Sequence, residues 1–179
     1  MKILKVILGG IVLIVVLLLI VALFVKKDYA VEREITINKP KSQVFEYIKL
    51  LKNQDLYSVW LKRDPAAKKE YKGTDGTVGF VAAWESKDKN VGKGEQEIIK
   101  ITGEERIDMK LRFKEPFESN DDAYMITESV SETQTKVKWG FKGRMKYPMN
   151  LMLLCWDMEG MLGKDLQKGL DDLKVILEK

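Results

Sequence analysis

The stretch Gly94-Glu-Gln-Glu-Ile-Ile-Lys-Ile-Thr102, the turn Gly103-Glu104, and then Arg106-Ile-Asp-Met-Lys-Leu-Arg-Phe-Lys114 decide the fold. In the second run Met109, Leu111 and Phe113 alternate with charged residues, which puts them on one face of a half-buried strand. A short turn between two such runs joins antiparallel neighbours. The same period of two extends outward in both directions. Candidate strands cover 68–72, 78–86, 94–102, 106–114, 123–131 and 135–142. Their separators are turn-like: Thr74-Asp75-Gly76, Lys87-Asp88-Lys89-Asn90, Ser119-Asn120-Asp121-Asp122 and Glu132-Thr133-Gln134. Such close spacing implies an antiparallel meander and leaves no room for βαβ units.

Upstream of the meander, Val31-Glu-Arg-Glu-Ile-Thr-Ile37 alternates and ends at Asn38-Lys39-Pro40. Pro40 suits a first helical turn, and Val44, Phe45, Ile48 and Leu51 follow at helical spacing. Asn53 is placed to cap a second short helix reaching about Trp60, and Pro65 ends it. Downstream, Pro148 and Asn150 open the last element. Leu151, Leu154, Met158, Leu162, Leu166, Leu170, Leu173 and Leu177 keep helical spacing over about 28 residues, roughly 40 Å. Gly160, Gly163 and Gly169 mark a bend or a close approach to the sheet. A long helix with one apolar stripe must lie on a large partner, and the sheet is that partner, giving an α+β domain.

The N-terminus is of a different kind. Val6 to Val25 is an unbroken apolar run, with Lys2 and Lys5 before it and Lys26 and Lys27 after it. As a helix, twenty residues reach about 30 Å, the thickness of a bilayer's hydrocarbon core. A cleaved signal peptide has a shorter apolar stretch and a small-x-small site. Here the nearest small residue is Ala30, with Asp28 where a second should stand. A single-pass anchor is therefore favoured over a signal peptide and over a buried helix, which would carry a polar stripe. Counting Lys26, Lys27, Arg33, Lys39 and Lys41 against Lys2 and Lys5 tilts orientation slightly toward a cytoplasmic domain. The expected division is 1–29 for anchor and flanks and 30–179 for one folded domain, with membrane contact through residues 6–25.

Composition bounds the chemistry. The chain has 31 basic and 27 acidic residues, net +4, and the two signs interleave, as in Glu32-Arg33-Glu34. That is a mixed-charge surface without the clustered basic face of a nucleic-acid binder, so no nucleic acid is expected. There is no histidine, which removes Ser-His-Asp and Cys-His nucleophile pairs and the commonest metal ligand. The single cysteine, Cys155, stands among Leu153, Leu154 and Trp156 and reads as a small core residue. Asp121-Asp122 and Asp171-Asp172 read as solvated charges, and Gly73-x-x-Gly76-x-x-Gly79 and Gly92-Lys93-Gly94 as hairpin turns and bulges, without phosphate-loop spacing. No catalytic residue, metal ligand or cofactor is singled out. Tyr57, Tyr124, Tyr147 and Glu128 could supply a proton donor or acceptor, with nothing to single any of them out.

With these elements in place the sequence resembles the SRPBCC or START-like superfamily of Bet v 1-type helix-grip folds, most closely its polyketide cyclase/dehydrase branch. The resemblance is carried by Val31 to Phe45, Val59-Trp60, Gly79-Phe80, Trp84-Glu85, Val91 to Ile98, Thr135 to Trp139, Gly143 and Lys168 to Lys174. It spans about residues 30–179 and departs at Asn53-Gln54-Asp55-Leu56-Tyr57, where relatives carry a tryptophan-rich pattern. It implies an antiparallel sheet gripping the C-terminal helix over an apolar cavity. The residues facing that cavity would be Phe80, Trp84, Met109, Leu111, Phe113, Trp139 and Phe141 from the sheet, and Leu154, Met158, Met161 and Leu162 from the helix. The partner expected is a hydrophobic small molecule or lipid. An enzyme of the cyclase/dehydrase type and a non-enzymatic, stress-related partner-binding module are the alternatives.

Overall fold

The computed structural model describes residues 2–179. The apolar run forms α1, Lys2–Phe24, and a three-residue link leads directly into β1, Asp28–Ile37. Then come α2, Lys41–Ile48, a 3-10 turn at Leu51–Asn53, and two short helices, α3 (Gln54–Tyr57) and α4 (Val59–Arg63). The meander follows as β2 (Lys68–Lys72), β3 (Val81–Glu85), β4 (Lys93–Thr102), β5 (Arg106–Glu115), β6 (Ser119–Ser131) and β7 (Gln134–Arg144). A second 3-10 turn, Met149–Leu154, precedes α5, Met158–Leu177. Among the described residues the seven strands make one antiparallel sheet in the order β1-β7-β6-β5-β4-β3-β2.

Strand register explains the core. Val31, Ile37, Val137, Trp139, Met125, Ile107 and Met109 alternate onto the concave face and are almost wholly buried. Leu166, Leu170 and Leu173 of α5 pack on them, and Val44, Phe45 and Ile48 of α2 close one end. Gly169 lets α5 pass close to the sheet: a methyl group there would stand 2.7 Å from the Trp139 ring. This is the helix-grip arrangement, a curved sheet wrapped around a C-terminal helix, preceded by an apolar N-terminal helix.

Four local readings need correction. The last helix is shorter than its leucine stripe, because Asp157 caps α5 by accepting from the Gly160 N–H at 2.8 Å, and the stretch before it coils as a 3-10 turn. Asn53 makes no cap; its amide donates to the Tyr47 carbonyl instead. Cys155 is exposed, since it falls in the link between turn and helix. Asp121 is 5 % exposed on β6, accepting from the Ser119 hydroxyl and the Arg144 N–H, so it is neither in a loop nor solvated.

Helix α1 stands apart from the core: of its described side chains only Ala22 is buried. Its last turn is nevertheless held. Helix C-termini leave carbonyls without partners, and here the buried Asn150 amide donates to the carbonyls of Ala22 (2.7 Å) and Val25 (3.0 Å). The Tyr147 hydroxyl reaches the Leu19 carbonyl, and the Met145 N–H donates to the Lys27 carbonyl.

Ion pairs fasten α4 to α5: Arg63 to Asp165 at 2.8 Å, and Lys62 to Asp172 at 2.8 Å, with Lys168 on the same carboxylate. Hydrogen bonds from Lys168 and Lys62 outweigh burial and hold the Asp172 carboxyl below the usual carboxylate range. A folded-state pKa below the unfolded one adds stability that is complete above the unfolded value. That stability fades as pH falls from about 3.9 through the folded value. Asp172→Asn should cost about 0.5–1 kcal/mol at pH 7 and much less near pH 2, read from urea midpoints at the two pH values.

Candidate ligand cavity

Between the concave face of the sheet, α3, α4 and α5 lies a cavity of about 370 Å³. Its floor is the sheet: Ala82 and Trp84 of β3, Gln96 of β4, Leu111 and Phe113 of β5, Ala123 of β6, and Trp139 and Phe141 of β7. These positions alternate in the strands, so one register sets them all. Leu162 and Leu166 of α5 form the roof, with Gln54, Ser58 and Trp60 along one side. At the rim stand Asn90 and Val91 of the β3–β4 loop and Glu115, Pro116 and Phe117 at the β5–β6 turn. The aromatic wall is interlocked. Trp139 meets Tyr57 and Trp60 edge-on, with centroids 5.6 and 6.1 Å apart, and Trp84 meets Phe113 at 5.8 Å. The Trp84 indole N–H donates to the Val91 carbonyl at 3.2 Å, which fixes its ring.

One group of polar side chains is tied together. Asp55 of α3 pairs with Lys69 of β2 at 2.8 Å and accepts the Tyr71 hydroxyl at 3.0 Å. Burial, with Asp55 alongside, pushes the Tyr71 phenol up to about 12, so it stays a neutral donor. Tyr29, on the wall near buried Asp121, is likewise pushed to about 12, by burial first and by that carboxylate second. Gln54 and Gln96 both turn their amides toward the Met109 sulfur. Among the described residues no cluster of three or more His, Cys, Asp or Glu is arranged to hold a metal ion.

Of the residues expected from sequence, the structure brings Trp84, Leu111, Phe113, Trp139, Phe141 and Leu162 together on the wall. Phe80 and Met109 lie behind it. Phe80 stacks on Tyr71 with 1 % of its surface exposed, and Met109 fills the core. Leu154 and Met161 point to the outside, and Met158, at the start of α5, is off the wall. The helix-stripe reading misplaced them because Asp157 restarts the helix after Leu154. None of the four proton-transfer candidates lines the cavity. Tyr57 is buried against the Met125 sulfur. Tyr124 bonds Glu32, with Arg106 over its ring. Tyr147 is held by α1, and Glu128 pairs with Lys138. Sequence reading missed Tyr29, Gln54, Asp55, Lys69, Tyr71 and Gln96. The signal for Gln96 was its place opposite Leu111, and for Lys69 and Tyr71 their shared parity in β2.

No protein-family model matches the sequence, and no curated protein matches it. Solved structures do match in fold. Norcoclaurine synthase from Thalictrum flavum, solved with dopamine and hydroxybenzaldehyde, superposes with a TM-score of 0.61 at 12% identity, over 88% of this chain and 91% of that one. A protein from Nitrosospira multiformis gives 0.60 at 17% identity, over 83% and 96%. Major latex-like protein 151 from Panax ginseng gives 0.57 at 16% identity, over 84% and 97%. At these identities the likeness is one of fold, and the fold is Bet v 1-like.

Proposed function

We propose that this chain is a membrane-anchored START-like domain that binds or shuttles a hydrophobic, lipid-like small molecule. The observation that carries this reading is the cavity itself, about 370 Å³, walled by Trp84, Leu111, Phe113, Trp139, Phe141 and Leu162. That volume and a largely apolar lining interrupted by polar side chains are what a small amphipathic molecule needs. The polar end of such a ligand fits beside Asp55, Lys69 and Tyr71. Two features support the anchor: α1 exposes its apolar side chains on every face, and the buried Asn150 amide takes its acceptors from the Ala22 and Val25 carbonyls at the end of α1, which cleavage would remove. The working division is 1–29 for the anchor and 30–179 for the domain, although β1 starts at Asp28.

Three tryptophans, Trp60, Trp84 and Trp139, line the cavity and serve as reporters. Detergent-extracted full chain mixed with a brominated fatty acid should lose much of its fluorescence. Ala82→Phe, which fills the floor opposite Gln96, should weaken that quenching about tenfold or more. Absence of quenching, together with no small molecule in the native mass spectrum, would sink the reading.

A second reading, an enzyme of the cyclase/dehydrase type, draws on the Asp55–Lys69–Tyr71 cluster, which sets polar groups against the cavity. A bound molecule that changes mass on incubation with the full chain favours the enzyme; one recovered unchanged favours the carrier. A purely partner-binding module would have no use for an unfilled core.

A further inference from the structure

Six of the twelve large apolar side chains exposed outside α1 belong to segments near the point where α1 meets the domain. They are Phe117 at the β5–β6 turn (75 % exposed), Tyr147 and Met149 at the second 3-10 turn, Leu154 at its end, Trp156 in the link, and Met161 early in α5. Strand register places the β5–β6 turn and the exit of β7, from which the second 3-10 turn follows, at one end of the sheet. Asp28 lies opposite Arg144, Lys142 opposite Asp122, Phe113 opposite Ser119, and Lys93 opposite Glu115. The start of β1, the end of β7, the β5–β6 turn and the β3–β4 loop therefore share that end, and α1 leaves from it. The cavity rim, Asn90, Val91 and Glu115 to Phe117, is there too.

We propose that this end of the domain is seated in the interfacial layer of the bilayer that α1 crosses, with the cavity rim facing lipid, so that ligand passes between membrane and cavity without entering bulk water. The inference rests on reading α1 as a membrane span and the cavity as a lipid-like ligand site. Single exposed apolar residues are ordinary, whereas a cluster containing Trp and Tyr marks a surface that is covered. The neighbouring helix identifies the cover. Asn150, near the start of the 3-10 turn, bonds the carbonyls of Ala22 and Val25, so the patch is fixed at the end of α1, where the hydrocarbon boundary of a spanning helix falls. Trp156 suits that depth, with its ring in the apolar layer and its indole N–H at the headgroups, while the Tyr147 hydroxyl is satisfied by the Leu19 carbonyl of α1. Charge at this end is mixed. Lys26, Lys27, Arg144 and Lys146 stand among Asp28, Glu118, Asp157 and Glu159, so the attachment is apolar and asks for no anionic lipid.

Cys155, exposed between Leu154 and Trp156 and the only cysteine of the chain, gives the test. The full chain is labelled there with a nitrobenzoxadiazole probe and reconstituted in phosphatidylcholine vesicles. Companion proteins carry Cys155→Ser with Phe117→Cys at the rim, Thr133→Cys in the far β6–β7 turn, or Leu13→Cys in mid-α1. Probes at 155 and 117 should be quenched by headgroup-proximal spin-labelled lipid and protected several-fold from aqueous iodide, relative to 133. If either is as open to iodide as 133 while 13 is quenched by acyl-chain spin labels, the span stands and the seating is overturned. If 13 is not quenched either, the span reading fails and this inference with it. Tryptophan quenching by brominated fatty acid in detergent reports separately on the ligand reading.

Discussion

Trp139→Ala should lower the unfolding free energy by about 4 kcal/mol, the largest loss expected from any single truncation in the domain. Trp139 is 5 % exposed and joins three parts of the structure. Its ring meets Tyr57 of α3 and Trp60 of α4, and Gly169 of α5 passes against it. Truncation removes a large buried ring and two aromatic contacts together, and it leaves a void beside α5 that the rigid sheet cannot close. Against a total stability of about 5–15 kcal/mol, such a loss leaves a marginal domain. Denaturant unfolding of the full chain in mild detergent measures it. Trp139→Phe, which keeps a ring at the junction, should lose less than half as much. A loss near 1 kcal/mol for alanine would mean that α5 settles onto the sheet and that the grip depends little on this side chain.

Gly92→Val is the second. Gly92 has φ +63°, and a methyl group there would stand 2.1 Å from the Glu115 carbonyl oxygen and 2.8 Å from its carbon. Those are backbone atoms, so no side-chain rotation relieves the overlap. A β-branched residue in the left-handed region adds strain of its own. The two effects together should cost about 4 kcal/mol, with the β3–β4 loop pulling away from the β5–β6 turn. Because that contact frames the rim beside Pro116, the variant should also alter ligand uptake more than its remaining stability alone explains. Circular dichroism melting and tryptophan quenching on the same samples separate the two. Gly103→Val serves as the control: its φ is +50° but a methyl group there meets nothing within 4 Å, so strain alone is added.

The meander was legible because alternation is a local signal. Lys68–Lys72 has the same bounds in sequence and structure, and β4, β5 and β7 differ by only a few residues at their ends. Expected and observed strands part where a polar stretch joins a ladder. Ser119-Asn120-Asp121-Asp122 has turn composition, yet it pairs with β5 and buries Asp121 against Ser119 and Arg144. The C-terminal helix shows the opposite error. Leu151 and Leu154 continue the heptad-like stripe, but Asn150 serves the α1 carbonyls and Asp157 offers a better helix start. Both signals were present in the sequence, and periodicity outvoted them. The apolar wall was half legible, since parity put Leu111, Phe113, Trp139 and Phe141 on one face. The polar cluster was not: parity puts Lys69 and Tyr71 on one face, but nothing local tells which face of Lys68-Lys-Glu-Tyr-Lys72 turns inward or that Asp55 will meet it.

Only Val25, Lys26 and Lys27 separate α1 from β1, a reach of about 10 Å, and Asn150 takes up even that slack. On the proposed reading, a carrier mounted so closely has no arm to swing. It diffuses in the plane of its own membrane with its opening held at constant height, meeting ligands by lateral collision. It therefore exchanges cargo only with that leaflet or with a partner that comes to it, and it cannot bridge the aqueous gap to a second membrane. Inserting a long flexible Gly-Ser segment after Lys27 would convert a fixed station into a roving one.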